Sequence, residues 1–245
     1  MESRDPAMSM AKVRANAIDT SSKIVVADQH EDLIGGWTLM SPREANSVRT
    51  FPFEECVLLL TDVALYCVKF DWNVEKVASF ERVDLRSITG ILKGVYVTST
   101  LAATQTDPIK NVGFVVKYKP GKEDIARVNT RSLSSAVGMN GIESDDLKAA
   151  AKGKGEKDAG LKVLAFKALP ARDSFTSMAG QETQAMSEQE LVSNVCEGIR
   201  RAAVGDGHVT SGFVEESDII SLEEAKKSTG LLEQWSHSLK KMVWA

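Results

Sequence analysis

Between Cys56 and Thr98, short apolar segments alternate with small polar breaks, the pattern of consecutive antiparallel strands. Residues 56–60 form a continuous apolar run, which suits a strand buried on both faces. Fully burying each Val or Leu there contributes about 1.5–3 kcal/mol, so this strand is expected to anchor the core. Over 64–70, Ala64, Tyr66, Val68 and Phe70 share one face of a second strand. Asp71-Trp72-Asn73 supplies turn chemistry before a third strand at 76–83. Leu85-Arg86-Ser87-Ile88 reads as a tight helical turn, after which 90–98 returns to strand. Val112, Phe114, Val116 and Tyr118 alternate cleanly until Pro120-Gly121 stops them. The last strand candidate is 161–169, ended by Pro170.

Helical spacing takes over near the C-terminal end. Ser187-Glu188-Gln189-Glu190 is a capping box, and Leu191, Val192, Val195, Cys196 and Ile199 then make one apolar stripe. Arg200 and Arg201 suit the last turn and Gly205 can end it, so this helix is expected to lie on the sheet. A second box at Ser221-Leu222-Glu223-Glu224 precedes Leu232, Trp235, Leu239 and Met242, which recur at alternating three- and four-residue steps beside Lys240 and Lys241. Gly230 weakens the first half of that helix by about 1 kcal/mol relative to Ala. Its apolar face can pack back onto the domain, form a partner groove or self-association seam, or insert at a membrane surface.

The flanks and one internal stretch lack a core pattern. Residues 1–21 read as disordered or linker, and 22–34 fit either a lead-in helix or a strand. Gly35-Gly36 breaks the chain before a short strand around 37–40. Residues 132–160 turn to Ser, Gly, Ala, Asp and Lys, too poor in apolar surface to offset their ordering entropy, so a disordered insertion is expected there. The resulting plan is a domain over 22–204, a linker over 205–220 and an amphipathic helix over 221–245.

Composition narrows the function more than the fold. The chain has 245 residues, 43% hydrophobic and 26% charged, enough for one sizeable core with appendages. A net charge of −4 argues against general nucleic-acid binding. The N-terminus is too polar for a signal peptide and no apolar run is long enough to span a bilayer, so a cytoplasmic chain is expected. Cys56, Cys67 and Cys196 are scattered and odd in number, and none forms a Cys-x-x-Cys pair; neither a zinc site nor a disulfide framework is indicated. His30, His208 and His237 have no metal-type spacing. Gly-x-Ser-x-Gly, phosphate-cradling glycine loops and His-Glu-x-x-His are all missing. Cys196-Glu197-Gly198-Ile199-Arg200-Arg201 looks superficially like a cysteine-phosphatase loop. That chemistry needs five residues between Cys and Arg, and the sixth residue after Cys196 is Ala202. No catalytic residue, metal or cofactor is expected.

Strands, a turn-helix, more strands and a closing amphipathic helix suggest an α+β domain: a pleckstrin-homology-like antiparallel β-barrel or sandwich capped by a C-terminal α-helix. Leu-Leu-Leu-Thr-Asp-x-Ala-Leu-Tyr, Phe-Asp-Trp-Asn-x-Glu-Lys-Val-x-Ser-Phe-Glu-Arg-Val-Asp-Leu and Ile-Thr-Gly-Ile carry the resemblance further. Between Ile34 and Ala203 the chain resembles the second homology domain of Sac-type inositol phosphatases, most closely its fungal members. This is the accessory domain that follows the catalytic Sac domain in some phosphoinositide phosphatases. The resemblance implies a non-catalytic regulatory, dimerisation and targeting role in membrane traffic, a homodimer, and a catalytic Sac domain in cis or in trans. It also implies a cytoplasmic location, peripheral on endosomal membranes. The Asp-Cys-Leu-Asp-Arg catalytic core is missing, so activity does not carry over. The chain is either the detached C-terminal part of such a phosphatase or a stand-alone relative. Direct phosphoinositide binding is the alternative role. The first strands offer Arg43 and Arg49 for it, opposed by Glu44, Glu54 and Glu55, with Lys69, Lys76 and Lys93 elsewhere. These cations, with Trp235, Leu239 and Met242 of the last helix, are the candidate lipid or partner contacts.

Overall fold

The continuous apolar run folds as the inner part of β2 (Phe53–Thr61) and is buried on both faces, as the pattern predicts. The computed structural model describes residues 6–26, 30–43, 48, 52–97, 107–120, 128–129, 161–170, 176–178, 181–182, 186–205 and 212–220. Cys56, Leu58 and Leu60 enter one core, while Val57 and Leu59 enter another on the opposite face. β2 pairs antiparallel with β1 (Leu33–Pro42) and with β3 (Ala64–Asp71), and β3 pairs with β4 (Lys76–Asp84). Ala64, Tyr66, Val68 and Phe70 share the second core, on the face expected for them.

The predicted tight turn is a 3-10 helix, Leu85–Ser87, capped by Asp84, whose carboxylate accepts from Arg86 N at 2.8 Å. It leads into β5 (Ile88–Val97), which pairs with β6 (Val112–Tyr118). A short β7 (Val128–Asn129) lies on the outer edge of β4. β8 (Lys162–Ala168) pairs with β6 and closes onto β1 through Leu39↔Ala168 and Met40↔Lys167. β9 (Thr176–Met178) continues along β1, and β10 (Gln181–Glu182) pairs with β9. α2 (Glu188–Val204) begins at the expected capping box: Ser187 Oγ accepts from Glu190 N, and Glu190 Oε2 accepts from Ser187 N at 3.0 Å. Its stripe of Leu191, Val192, Val195, Cys196 and Ile199 fills the main core, against residues of β1 to β6 and β8. Two antiparallel halves folded over one helix make this an α+β, pleckstrin-homology-like domain.

The structure corrects the plan at both ends of that domain. Residues expected to be disordered or linker form α1 (Pro6–Val25), a 20-residue helix on the outer face of β1 to β4. Its inward positions are Arg14, Ala17, Ile18, Ser21 and Val25, all buried. Only two of those five are large and apolar, so the stripe is hard to see in the sequence. Arg14 makes a bidentate pair with Glu55 of β2 at 2.6 and 3.2 Å. Gly36 of β1 lets the helix approach closely, since a Cβ there would lie 2.6 Å from Ile18 Cγ2. Within the ambiguous 22–34 stretch, α1 runs to Val25 and β1 begins at Leu33.

Much of the expected 205–220 linker is also built into the sheet. β11 (Val214–Glu216) and β12 (Ile219–Ile220) pair parallel with β5 along its outer edge. Backbone pairing, the buried Ile219 and the partly buried Phe213 and Val214 hold this segment, which is otherwise polar enough to resemble a linker. The expected insertion over 132–160 and the helix over 221–245 lie outside the described residues.

Docking of α1 on β2 should be worth several kilocalories. Ile18→Ala is expected to destabilise the chain by about 2–5 kcal/mol in urea denaturation. Lys23→Ala, which removes only an exposed i,i+4 pair with Asp19, should stay within about 0.5 kcal/mol.

Candidate functional site

Of the described cations expected to contact lipid or a partner, Arg43 and Lys69 come together on Glu54, while Lys93 lies elsewhere on the sheet. Arg43 follows β1 at an exposed position, with its Nε 2.5 Å from Glu54 Oε1 on β2. Lys69 of β3 donates to the Arg43 carbonyl at 2.9 Å and lies 3.3 Å from Glu54 Oε2. Partial burial opposes ionisation of Glu54, but the bond to Arg43 and the charge of Lys69 outweigh it and hold the carboxyl below its ordinary value. One carboxylate therefore ties up two of the expected phosphate-binding cations. Lys76 is exposed at the start of β4, opposite Asp71 in the hairpin register. Lys93 sits on the other half of the molecule, on β5, where it pairs with Glu216 of β11 at 2.9 Å. Arg49, Trp235, Leu239 and Met242 lie outside the described residues.

Sequence reasoning missed the most connected polar cluster. Glu31, between α1 and β1, has a side chain only 4% exposed. Its Oε1 accepts from Arg82 Nη2 at 2.8 Å, and its Oε2 accepts from Thr61 Oγ1 at 2.6 Å and Tyr66 Oη at 3.0 Å. Arg82 Nε donates in turn to Tyr66 Oη at 3.1 Å, and its guanidinium lies 5.8 Å from the Tyr66 ring centroid. Every partner is matched in charge and hydrogen bonding, so the cluster fastens the α1–β1 connection to β2, β3 and β4 rather than offering a reactive group. Burial pushes the Tyr66 hydroxyl up to about 12, helped by Glu31 and opposed by Arg82.

The cysteines are placed for packing. Cys196 lies on the inner face of α2 and burial pushes its thiol up to about 12, so almost no thiolate forms near neutrality. Cys56 and Cys67 hydrogen-bond to one another on neighbouring strands; that bond and burial push the Cys56 thiol well up. Among the described residues, no three His, Cys, Asp or Glu side chains are grouped to hold a metal ion. None of the described helices is long and apolar enough to cross a membrane. A cleft of about 500 Å³ opens between β5, α2 and the β11–β12 segment. Its wall includes Lys93, Gln189, Ser193, Glu216, Ser217 and Asp218, with Lys93 and Glu216 paired to each other at 2.9 Å.

This geometry defines a pleckstrin-like scaffold with edges and faces for contact. Residues 5–119, from α1 through β6, match the family model hSac2, described as inositol phosphatase. This stretch is thus similar to the accessory domain that the strand motifs implied, and the matched pattern begins with α1 rather than at Ile34. The hSac2 domain from human phosphoinositide phosphatase Sac2 is one similar solved structure, at 15% identity and a TM-score of 0.42, covering 88% of this chain and 91% of that one. No curated protein sequence matches the chain.

Tyr66 sets an alkaline limit on stability. The folded chain keeps the Tyr66 proton where the unfolded chain, titrating near 10, loses it. Its contribution is complete below about pH 10 and is lost as the pH rises to about 12. The urea midpoint should fall across that window, and fall less steeply in Tyr66→Phe, which should itself cost about 1 kcal/mol at neutral pH.

Proposed function

We propose that this chain is a non-catalytic regulatory, dimerisation and targeting module of a Sac-type phosphoinositide phosphatase in membrane traffic, working with a catalytic Sac domain in cis or in trans. The observation that carries the reading is the hSac2 match over residues 5–119. Packing supports it. The cysteine that comes nearest to a phosphatase loop is held as a thiol on the inner face of a helix, and Arg200 and Arg201 beside it are bonded to Glu197 at 2.7 and 2.8 Å. In this reading the module is cytoplasmic, lies peripherally on endosomal membranes, forms a homodimer and does not bind nucleic acid. Direct phosphoinositide binding is the weaker alternative, because Glu54 occupies Arg43 and Lys69.

Sedimentation equilibrium of the full chain at micromolar concentration is expected to show a dimer; a strict monomer would remove dimerisation from the proposal. Phosphate release from inositol lipids is expected to stay at background. Release that Cys196→Ser abolishes would make the chain an enzyme and overturn the non-catalytic reading. Liposome co-sedimentation should not depend on phosphoinositide content, and a strong dependence would favour the direct lipid-binding alternative.

A further inference from the structure

The outer edge of β5 is covered by the chain's own residues 213–220, which lie along it as an extended peptide. Val214, Glu215 and Glu216 run parallel to Ile91, Leu92 and Lys93, and Ile219 and Ile220 run parallel to Tyr96 and Val97. Ile91 N donates to the Phe213 carbonyl at 2.7 Å, and Ser217 N to the Lys93 carbonyl at 3.0 Å. Side chains add specificity. Phe213 and Val214 pack on the main core, and Ile219 is buried against Tyr96, Val115 and Ala165. Glu215 pairs with Lys117 at 3.2 Å and Glu216 with Lys93 at 2.9 Å. Gly94 is required for this approach, since a Cβ there would lie 2.1 Å from the Ser217 carbonyl oxygen.

These contacts have the features of strand addition: main-chain bonds for affinity, alternating pockets for the sequence, and two cations matched to two acids. The hold is modest. Both ladders are short, and the Glu215 and Glu216 side chains are 56% and 76% exposed, where ion pairs contribute little. The segment also underfills its surroundings, since the cleft of about 500 Å³ opens beside Ser217.

We propose that the β5 edge is a docking groove for an extended segment of a partner protein, apolar at its start and end with an acidic pair between, and that residues 213–220 occupy it in cis until such a segment displaces them. The occupant is set by charge complementarity to Lys93 and Lys117 and by the apolar sites that Val214 and Ile219 now fill. This inference does not depend on the chain being a dimer.

The test uses the full chain and a fluorescein-labelled synthetic peptide of residues 212–220, Gly-Phe-Val-Glu-Glu-Ser-Asp-Ile-Ile, read by fluorescence anisotropy. Glu215→Lys with Glu216→Lys sets the cis segment against Lys93 and Lys117 while changing only exposed side chains. That variant should bind the wild-type peptide about tenfold or more tighter than the wild-type chain does, because its groove is open more of the time. Ile219→Ala should act in the same direction by a separate route, and adding Gly94→Ala to either variant should remove binding. Equal binding by all chains, no binding to the two opened variants, or equal binding of a scrambled peptide would overturn the proposal. A wild-type dimer that the peptide dissolves would overturn the partner assignment in favour of a second copy of the segment.

Discussion

The architecture depends on one strand that cannot face water on either side. Val57, Leu58, Leu59 and Leu60 of β2 are each 0% exposed, and consecutive residues point to opposite faces. A strand of this kind needs an apolar layer above and below it. α2 and the β5–β6–β8 half supply one layer; α1 supplies the other. Once β2 is fixed, β1 and β3 inherit its register. Trp37 and Leu39 fall towards α2 and Tyr66 and Val68 towards α1. The helix in front of the strands is thus part of the domain, which agrees with the family match beginning at residue 5.

How much of this was legible in the sequence follows from where the information lies. β2, β3 and β6 could be read because their signal is local: unbroken or alternating apolar residues within nine positions or fewer. α2 could be read because its cap and stripe are both local. α1 could not, since its buried face mixes Arg14, Ala17 and Ser21 with Ile18 and Val25, and Arg14 pairs with Glu55, 41 residues away. The β11–β12 segment looked like a linker because a parallel edge strand needs few apolar residues when the backbone does most of the bonding.

The candidate site was legible in its charges and hidden in its pairings. Glu54 and Glu55 were visible as acids opposing the cations of the first strands, and the structure shows the mechanism: Glu54 holds Arg43 and Lys69, and Glu55 holds Arg14. The Glu31 cluster was invisible because Thr61, Tyr66 and Arg82 lie 30, 35 and 51 residues from it. With Arg43, Lys69, Lys93 and the buried Glu31 internally matched, and Cys56 and Cys196 held as thiols, what the described surface offers is edges, faces and a cleft.

Hydrogen–deuterium exchange on the full chain, followed by mass spectrometry, tests the central claim that β2 is the doubly covered centre of the fold. Peptides covering Val57–Leu60 should be among the slowest to exchange, and Ile18→Ala should accelerate them by lowering the stability of the whole α1-covered sheet. Exchange at β2 as fast as at the β11–β12 edge, or unchanged when the α1 contact is cut back, would contradict the account.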